Sequence, residues 1–282
     1  MLTDHDREIR ARRIGASEGA AVLGLSPYAD STPFSVWARI TQGYQRPEAR
    51  ELTAGRYLER AVGDWYLETF HPGLHYGIGV TAQPHHEHDW LSATPDRVVC
   101  GDGGQWLVEC KTDRRADAWG EPGTAPVPVH VAVQCQLQMA VFSVLRVDVP
   151  VLFKAEDRFE CYSVRRDDDV IAVLLRDLGA WFKRYVDGGE MPALDGGAAG
   201  ADFLRRRYPG GGPLAQATDV QRQLVTSYAS IKADIKAATK TADVLKQRIA
   251  LELGDANGWE GLCTYKPNVK GVRSLRLAGE KE

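Results

Sequence analysis

Asp96 and Glu109 stand thirteen residues apart, and Lys111 lies two beyond Glu109. In a strand, residues two apart share a face, so Glu109 and Lys111 point one way and Cys110 points into the core. Between the two acids, Gly101-Asp102-Gly103-Gly104 reads as a turn. The flanking strands then pair as a hairpin and bring Asp96 beside Glu109. Pro95 offers no N–H to a strand ladder, so the chain bends or splays just before Asp96. Two carboxylates with a main-chain carbonyl and waters suit magnesium, a hard ion that takes oxygen ligands. Such a set supports metal-assisted hydrolysis of a phosphodiester. Lys111 is placed to orient the attacking water or to stabilise negative charge in the transition state. Glu59, on an earlier helix, is a candidate third carboxylate. Gln134, on a later helix, is a candidate holder of the water. A Glu-x-Lys triplet alone is common on solvent-facing strands; Pro-Asp at hairpin distance is what makes it informative.

The elements that must position these residues follow from periodicity. Glu48 to Phe70 reads as a helix, with Leu58, Ala61, Val62, Trp65, Tyr66 and Thr69 on one side and Glu59 at the edge of that stripe. Tyr76–Ala82, Trp90–Val99 and Gln105–Lys111 read as strands. Val129–Leu145 reads as a helix, Val149–Lys154 and Phe159–Val164 as strands, and Asp167–Tyr185 as an amphipathic helix opened by aspartates. Upstream, Ser17 suits a helix start, Ser26-Pro27-Tyr28 a turn, and Pro33 the start of another helix. The expected fold is α/β: a central mixed sheet flanked by helices over residues 1–187. Residues 188–213 are rich in Gly and Pro and read as a linker. Residues 214–282 form an appendage. Val220–Leu253 is one long helix or a helical hairpin, with an apolar seam of Leu224, Tyr228, Ile231, Ile235, Ala238, Ala242, Leu245 and Ile249. A β-hairpin from Gly258 to Leu277 carries Lys266, Lys270, Arg273 and Arg276.

Composition excludes several classes. The 282 residues carry a net charge of −3, so any surface for nucleic acid must be local rather than global. No stretch approaches the roughly 20 apolar residues of a membrane span. The N-terminus lacks the apolar core of a signal peptide, which leads us to expect a cytosolic protein. Five cysteines, none two or three apart, argue against a disulfide framework or a zinc ribbon. His85, His86 and His88, with Glu87 and Asp89, lack a fourth paired ligand and read as solvated surface rather than zinc. The glycine runs at 188–189 and 210–212 are not followed by Gly-Lys-Ser/Thr, so no ATP-driven motor is expected.

The order helix with Glu, strand with Pro-Asp, strand with Glu-x-Lys, helix with Gln resembles the PD-(D/E)XK nucleases. Further motifs narrow the resemblance. They are Arg13-Ile14-Gly15-Ala16-Ser17-Glu18 through Leu23-Gly24, then Ser26-Pro27-Tyr28 and Trp37. Gly55 to Glu59, Leu91 to Asp96, Leu107 to Thr112 and Gln134 to Met139 complete the set. Over residues 10–185 the chain resembles the YqaJ-type viral recombinase family, which includes the lambda exonuclease. Thr94 stands where a serine is usual and keeps the hydroxyl.

The resemblance implies a DNA exonuclease acting on linear double-stranded ends, 5′ to 3′, in phage-type recombination. It makes Asp96, Glu109 and the carbonyl of Cys110 ligands of magnesium, for which manganese can substitute. It makes Lys111 the catalytic lysine, with Glu59 and Gln134 completing the site. Arg10 and Ser17 fall where relatives grip a 5′ phosphate, with Arg13 and Thr94 also on the DNA side; Arg114 and Arg115 lie near a backbone contact. A ring of three subunits, a single-strand annealing partner and the cytoplasm of a phage-carrying bacterium are likewise implied. A restriction-like or structure-specific endonuclease on the same fold, or an inert DNA-end-binding protein, are the alternatives.

Overall fold

The computed structural model describes residues 3–46, 50–74, 76–78, 80–101, 104–122, 126–268 and 271–279, with only the backbone of 50–52 and 76–78. Glu48, Gly79, the turn residues Asp102 and Gly103, and Lys270 lie outside the described residues. The chain divides into two compact units, Met1–Gly210 and Gly211–Glu282. No described helix is long and apolar enough to cross a membrane.

The first unit runs α1 (Asp4–Ala11), β1 (Ile14–Gly15), a 3-10 turn at Ala16–Glu18, α2 (Gly19–Val22), α3 (Pro33–Gln42), α4 (Arg50–Phe70), β2 (Tyr76–Ile78), β3 (Gln83–Pro84), β4 (Leu91–Ala93), β5 (Arg97–Gly101), β6 (Gly104–Val108), β7 (Lys111–Asp113), α5 (Val129–Phe142), β8 (Arg146–Phe153), β9 (Arg158–Arg165), α6 (Asp168–Phe182) and α7 (Ala198–Arg207). The second unit has α8 (Asp219–Leu253), β10 (Gly258–Trp259), β11 (Cys263–Pro267) and β12 (Arg273–Leu277).

The main sheet is mixed. β2, β5 and β6 are antiparallel neighbours, and β6 lies parallel to β8. β7 continues along the same edge of β8, and β9 pairs with the other edge. Apolar side chains of α5, such as Cys135 and Met139, pack on one face against Leu107, Val147 and Val149. Val62, Tyr66 and Leu67 of α4 pack with Val99, Trp106 and Val108 in a second cluster. The buried cysteines of this unit, Cys110 and Cys135, are free thiols inside these clusters and behave as small apolar side chains.

Two expected strands are each broken in two, and both breaks have a physical cause. The stretch expected as Trp90–Val99 is β4 and β5, parted at Thr94-Pro95-Asp96, where proline cannot continue a ladder. β4 belongs instead to a small sheet of order β1-β4-β3. The stretch expected as Gln105–Lys111 is β6 and β7, parted at Glu109-Cys110. Register is kept across that gap, since Val108 pairs with Asp148 and Lys111 with Val151. Glu109 N–H still donates to the Asp148 carbonyl at 3.0 Å. The Cys110 N–H instead donates to the Asp96 carboxylate at 2.7 Å.

The region expected as a linker differs. Residues 198–207 form α7, which packs on α3 through Ala199 and Phe203 against Phe34, Trp37 and Ala38. Phe203 meets Phe34 and Trp37 edge-on, at centroid distances of 5.8 and 5.6 Å. The Gly/Pro content that suggested a linker is concentrated on either side of this short helix. In the second unit, Asp219–Leu253 is one continuous helix rather than a hairpin. Arg273, expected as a basic surface group, donates to the carbonyls of Tyr265, Gly254 and Ala256 and so ties the β-hairpin to the end of α8.

Phe203→Ala should destabilise the first unit by about 3–5 kcal/mol, the cost of emptying a buried aromatic site. Urea unfolding followed by tryptophan fluorescence checks this. A loss under about 0.5 kcal/mol, as for an exposed linker residue, would show that α7 is not part of the fold.

Candidate functional site

Where the two strand breaks meet, four groups converge. The β5–β6 register, Arg97 opposite Val108, places Asp96 opposite Glu109. Lys111 opens β7 and turns to the same side as Glu109, with Nζ 2.7 Å from Glu109 Oε1. Gln134 of α5 completes a ring: its Nε2 donates to Glu109 Oε1 at 2.7 Å, and its Oε1 accepts from Lys111 Nζ at 3.0 Å. The expected juxtaposition of Asp96, Glu109, Lys111 and Gln134 is therefore present.

Gln138 was not among the expected site residues. It lies one helical turn after Gln134 on the same face, and its Nε2 donates to Glu109 Oε2 at 2.6 Å. The i, i+4 spacing was the signal for it. Gln136 faces away and binds Arg165 and Asp167. His130, one turn before Gln134, was also missed. It lies beneath the Tyr28 ring in an edge-on contact, with centroids 5.6 Å apart.

Glu59 of α4 reaches the same neighbourhood from the other side. Its carboxylate is 4.0 Å from the buried guanidinium of Arg97. Arg97 fits there because α4 carries Gly63, where a Cβ would meet the guanidinium at 2.9 Å.

The charges are not balanced. Burial, then the negative Glu109 and Glu59, hold the Asp96 carboxyl well above its ordinary value. Burial also raises Glu59; Arg97 opposes this and Glu109 adds to it. Burial pulls the Lys111 ammonium down, but Glu109 and then Asp96 outweigh it and keep Lys111 above its ordinary value. Burial and the positive Lys111 lower His130. Three carboxylates thus share one lysine and one arginine.

The expected anion residues lie close by. Gly15 brings Arg10 and Ser17 together: a Cβ there would sit 3.4 Å from Arg10 Nη2 and 3.8 Å from Ser17 Oγ. β1 pairs with β4 in parallel, Gly15 opposite Ser92, so Ser17 and Thr94 each lie two residues past the same rung. A small pocket is lined by Arg10, Gly15, Ser17, Thr94, Gln134 and Gln138, among others. Within it the Ser92 and Thr94 hydroxyls and Gln138 Oε1 are buried without a hydrogen-bond partner. A wider cleft of about 410 Å³ joins Arg10 and Ser17 to Tyr28, His130, Lys111 and Gln134.

One expectation here is corrected, and one residue lies outside the cavities. Ser17 does not start a helix; it sits inside the 3-10 turn, and Glu18 accepts the Gly15 N–H at 2.8 Å. Arg13 lines neither cavity, because its guanidinium turns back to the Ile9 carbonyl of α1 at 2.7 Å. The residue that braces the loop is Arg39, which the sequence did not suggest. It clamps both Glu18 oxygens at 2.6 and 2.7 Å and donates to the carbonyls of Arg10 and Arg13. Arg114 and Arg115 follow β7 and are exposed.

Residues 7–144 match the model of the YqaJ-like viral recombinase domain. The chain carries a YqaJ-like viral recombinase domain. It is 26% identical over 96% of its length to the uncharacterized protein YqaJ of Bacillus subtilis (strain 168), covering 84% of that protein. That likeness extends through both units. Among solved structures, an alkaline exonuclease from Laribacter hongkongensis, LHK-Exo, superposes in its dAMP complex with a TM-score of 0.53 at 20% identity. The match covers 73% of this chain and 97% of that one. The fold over that stretch is accordingly shared with LHK-Exo, and it has the central mixed sheet flanked by helices expected from the motif order.

The donor set fits a hard cation. Asp96, Glu109 and the Cys110 carbonyl offer oxygens only, and a cation would relieve the repulsion that raises Asp96. It is not a closed cage: among the described residues no three His, Cys, Asp or Glu side chains form a metal-holding group. Waters would have to complete the shell. His85 is engaged otherwise, its Nδ1 accepting the N–H groups of Glu87 and His88.

The two acids should respond differently to substitution in chelator. Glu109→Ala leaves Lys111, Gln134 and Gln138 without their common acceptor and should cost about 3 kcal/mol or more. Asp96→Asn keeps an acceptor for the Cys110 N–H and removes a repelled charge, so stability at pH 8 should rise. The native state holds the Asp96 proton more tightly than the unfolded state does. Metal-free wild type therefore loses stability as pH climbs above about 4, the unfolded carboxylate value, towards the raised native value. Asp96→Asn should flatten that slope. Thermal melts in EDTA from pH 4 to 8 read both effects, and a parallel loss in the two variants would contradict the assigned geometry.

Proposed function

We propose that this protein is a magnesium-dependent exonuclease that degrades one strand of linear duplex DNA from a 5′ phosphate. The observation that carries this reading is the continuity of one cleft. Arg10 and Ser17 line it beside Lys111 and Gln134. End recognition and hydrolysis are thereby adjacent.

Arg10 offers paired N–H donors, and the Ser17, Ser92 and Thr94 hydroxyls add further donors to the small pocket. A terminal phosphate carries more charge than an internal diester, so the pocket favours an end over duplex interior. Asp96, Glu109 and the Cys110 carbonyl would hold magnesium, or manganese in its place. The bound ion supplies Lewis-acid polarisation of the phosphate and a lowered pKa for water. Gln134 and Glu109 position a water, and Lys111 meets the charge that builds on the phosphate. Glu59 adds negative charge on the α4 side and Arg97 restrains it. Hydrolysis leaves a new 5′ phosphate on the remaining strand, which suits 5′-to-3′ progress. The dAMP of the LHK-Exo complex is a mononucleotide and agrees in kind. A phage-type recombination role in a bacterial cytoplasm, a ring of three subunits and an annealing partner are parts of this proposal that rest on the family.

The test compares linear duplexes with 5′-phosphate and 5′-hydroxyl ends in magnesium, with covalently closed circles as control. Phosphorylated ends should initiate about tenfold faster or more, the worth of one charge-assisted contact. Arg10→Ala should narrow that gap, and circles should survive. Cleavage of circles would make the protein an endonuclease, and equal rates on both ends would remove the phosphate pocket.

Lys111→Ala should lower single-turnover cleavage by about 10²–10³ while leaving duplex binding in calcium within a few-fold of wild type. A loss confined to affinity would make Lys111 a phosphate contact only.

A further inference from the structure

α8 carries a feature that the nuclease reading does not use. From Leu224 to Ile249 its apolar positions step by four and three residues alternately, so Leu224, Ile231, Ala238 and Leu245 recur every seven, as do Tyr228, Ile235, Ala242 and Ile249, a repeat of 3.5. That period keeps one stripe turned towards a second helix in a left-handed coiled coil; a helix lying on a globular core shows a broader face with period 3.6. The stripe is exposed from Leu224 to Leu245, with Tyr228 65% and Ile231 58% exposed, and Ile249 is half-buried. A capping box at Thr218 and Gln221 fixes the start of the helix.

The seam is self-complementary in one direction only. Two antiparallel copies, related by a dyad between Lys236 and Ala237, set Leu224 against Ile249 and Tyr228 against Leu245. They set Ile231 against Ala242 and Ile235 against Ala238. Each central layer then joins a large side chain to a small one. Parallel copies would set Ala238 on Ala238 and Ala242 on Ala242, leaving two consecutive underfilled layers. An isologous contact demands self-complementarity, whereas a contact with an unrelated partner does not. Charge permits the pairing: across the antiparallel seam Lys232 faces Thr239, Asp234 faces Thr241 and Arg248 faces Ser227, so no like charges meet. Six large seam side chains at about 60–120 Å² each remove roughly 700–1,400 Å² from water over two copies, around the lower edge of stable interfaces.

We propose that the exposed seam of α8 joins two copies of this chain in an antiparallel coiled coil. This does not depend on the nuclease reading, since it uses no residue of the cleft. The experiment is sedimentation equilibrium of the full chain, from about 1 to 100 µM, because self-association is concentration-dependent. Wild type should contain an even number of chains. Ile231→Glu, at an exposed position, should halve the particle mass. Leu224→Cys alone should give no oxidised pair of chains, because position 224 faces Ile249 of the second copy. A parallel coil would set 224 on 224 and link through it. A wild-type monomer at the highest concentration overturns the proposal. So does an undiminished mass for Ile231→Glu, or a 224–224 disulfide in the Leu224→Cys variant.

Discussion

The carboxylate of Glu109 is almost wholly removed from water, and such a charge is tolerated only when its lone pairs are filled. Lys111 and Gln134 fill one oxygen, and Gln138 fills the other. Much of the architecture follows from this requirement. α5 must lie across the sheet with its 134 and 138 positions facing the strand break. Lys111 must follow at a spacing of two to reach the same side. α5 also packs its apolar side chains into the sheet, so the polar face that serves Glu109 is a narrow window in a mostly apolar helix.

Around that fixed charge, the backbone makes room by leaving its ladder. Cys110 N–H bonds the side chain of Asp96 instead of a neighbouring strand, and Pro95 cannot continue the ladder before Asp96. The result is a break in the strands at which Asp96, Glu109 and Lys111 come together. Structural strands become a site where the Cys110 N–H leaves the ladder. The remaining register is undisturbed, which confines the loss to the place where a ligand would repay it.

The phosphate pocket depends on a separate and smaller device. The β1–β4 pairing sets the Ser17 turn beside Thr94, and the Arg39–Glu18 ion pair anchors that turn to α3. Arg39 also holds the carbonyls of Arg10 and Arg13, so α3 governs where the Arg10 side chain emerges. The second unit contributes none of these groups. Its long helix and hairpin are held together locally, by Arg273 among others, and its seam offers a surface of a different kind.

By itself, the sequence determined the hairpin with Asp96 and Glu109 abreast, the side shared by Glu109 and Lys111, the helices bearing Glu59 and Gln134, and the heptad seam of α8. These are properties of local periodicity and turn chemistry, which a linear pattern carries in full. The motif order also made the fold legible. Tertiary structure alone decided the rest. Spacing put His130, Gln134 and Gln138 on one face of α5, but only the rotation of α5 about its axis turned that face to Glu109. Arg13 was diverted by the nearby carbonyl end of α1, and Ser17 entered a 3-10 turn because Glu18 took up the Gly15 N–H. Arg39 and Arg97 acquired roles through partners more than twenty residues away in sequence. Residues 198–207 became part of the first unit because Phe203 found an aromatic socket on α3. Each of these outcomes depends on which distant side chain arrives at a given point, and spacing along the chain does not encode that.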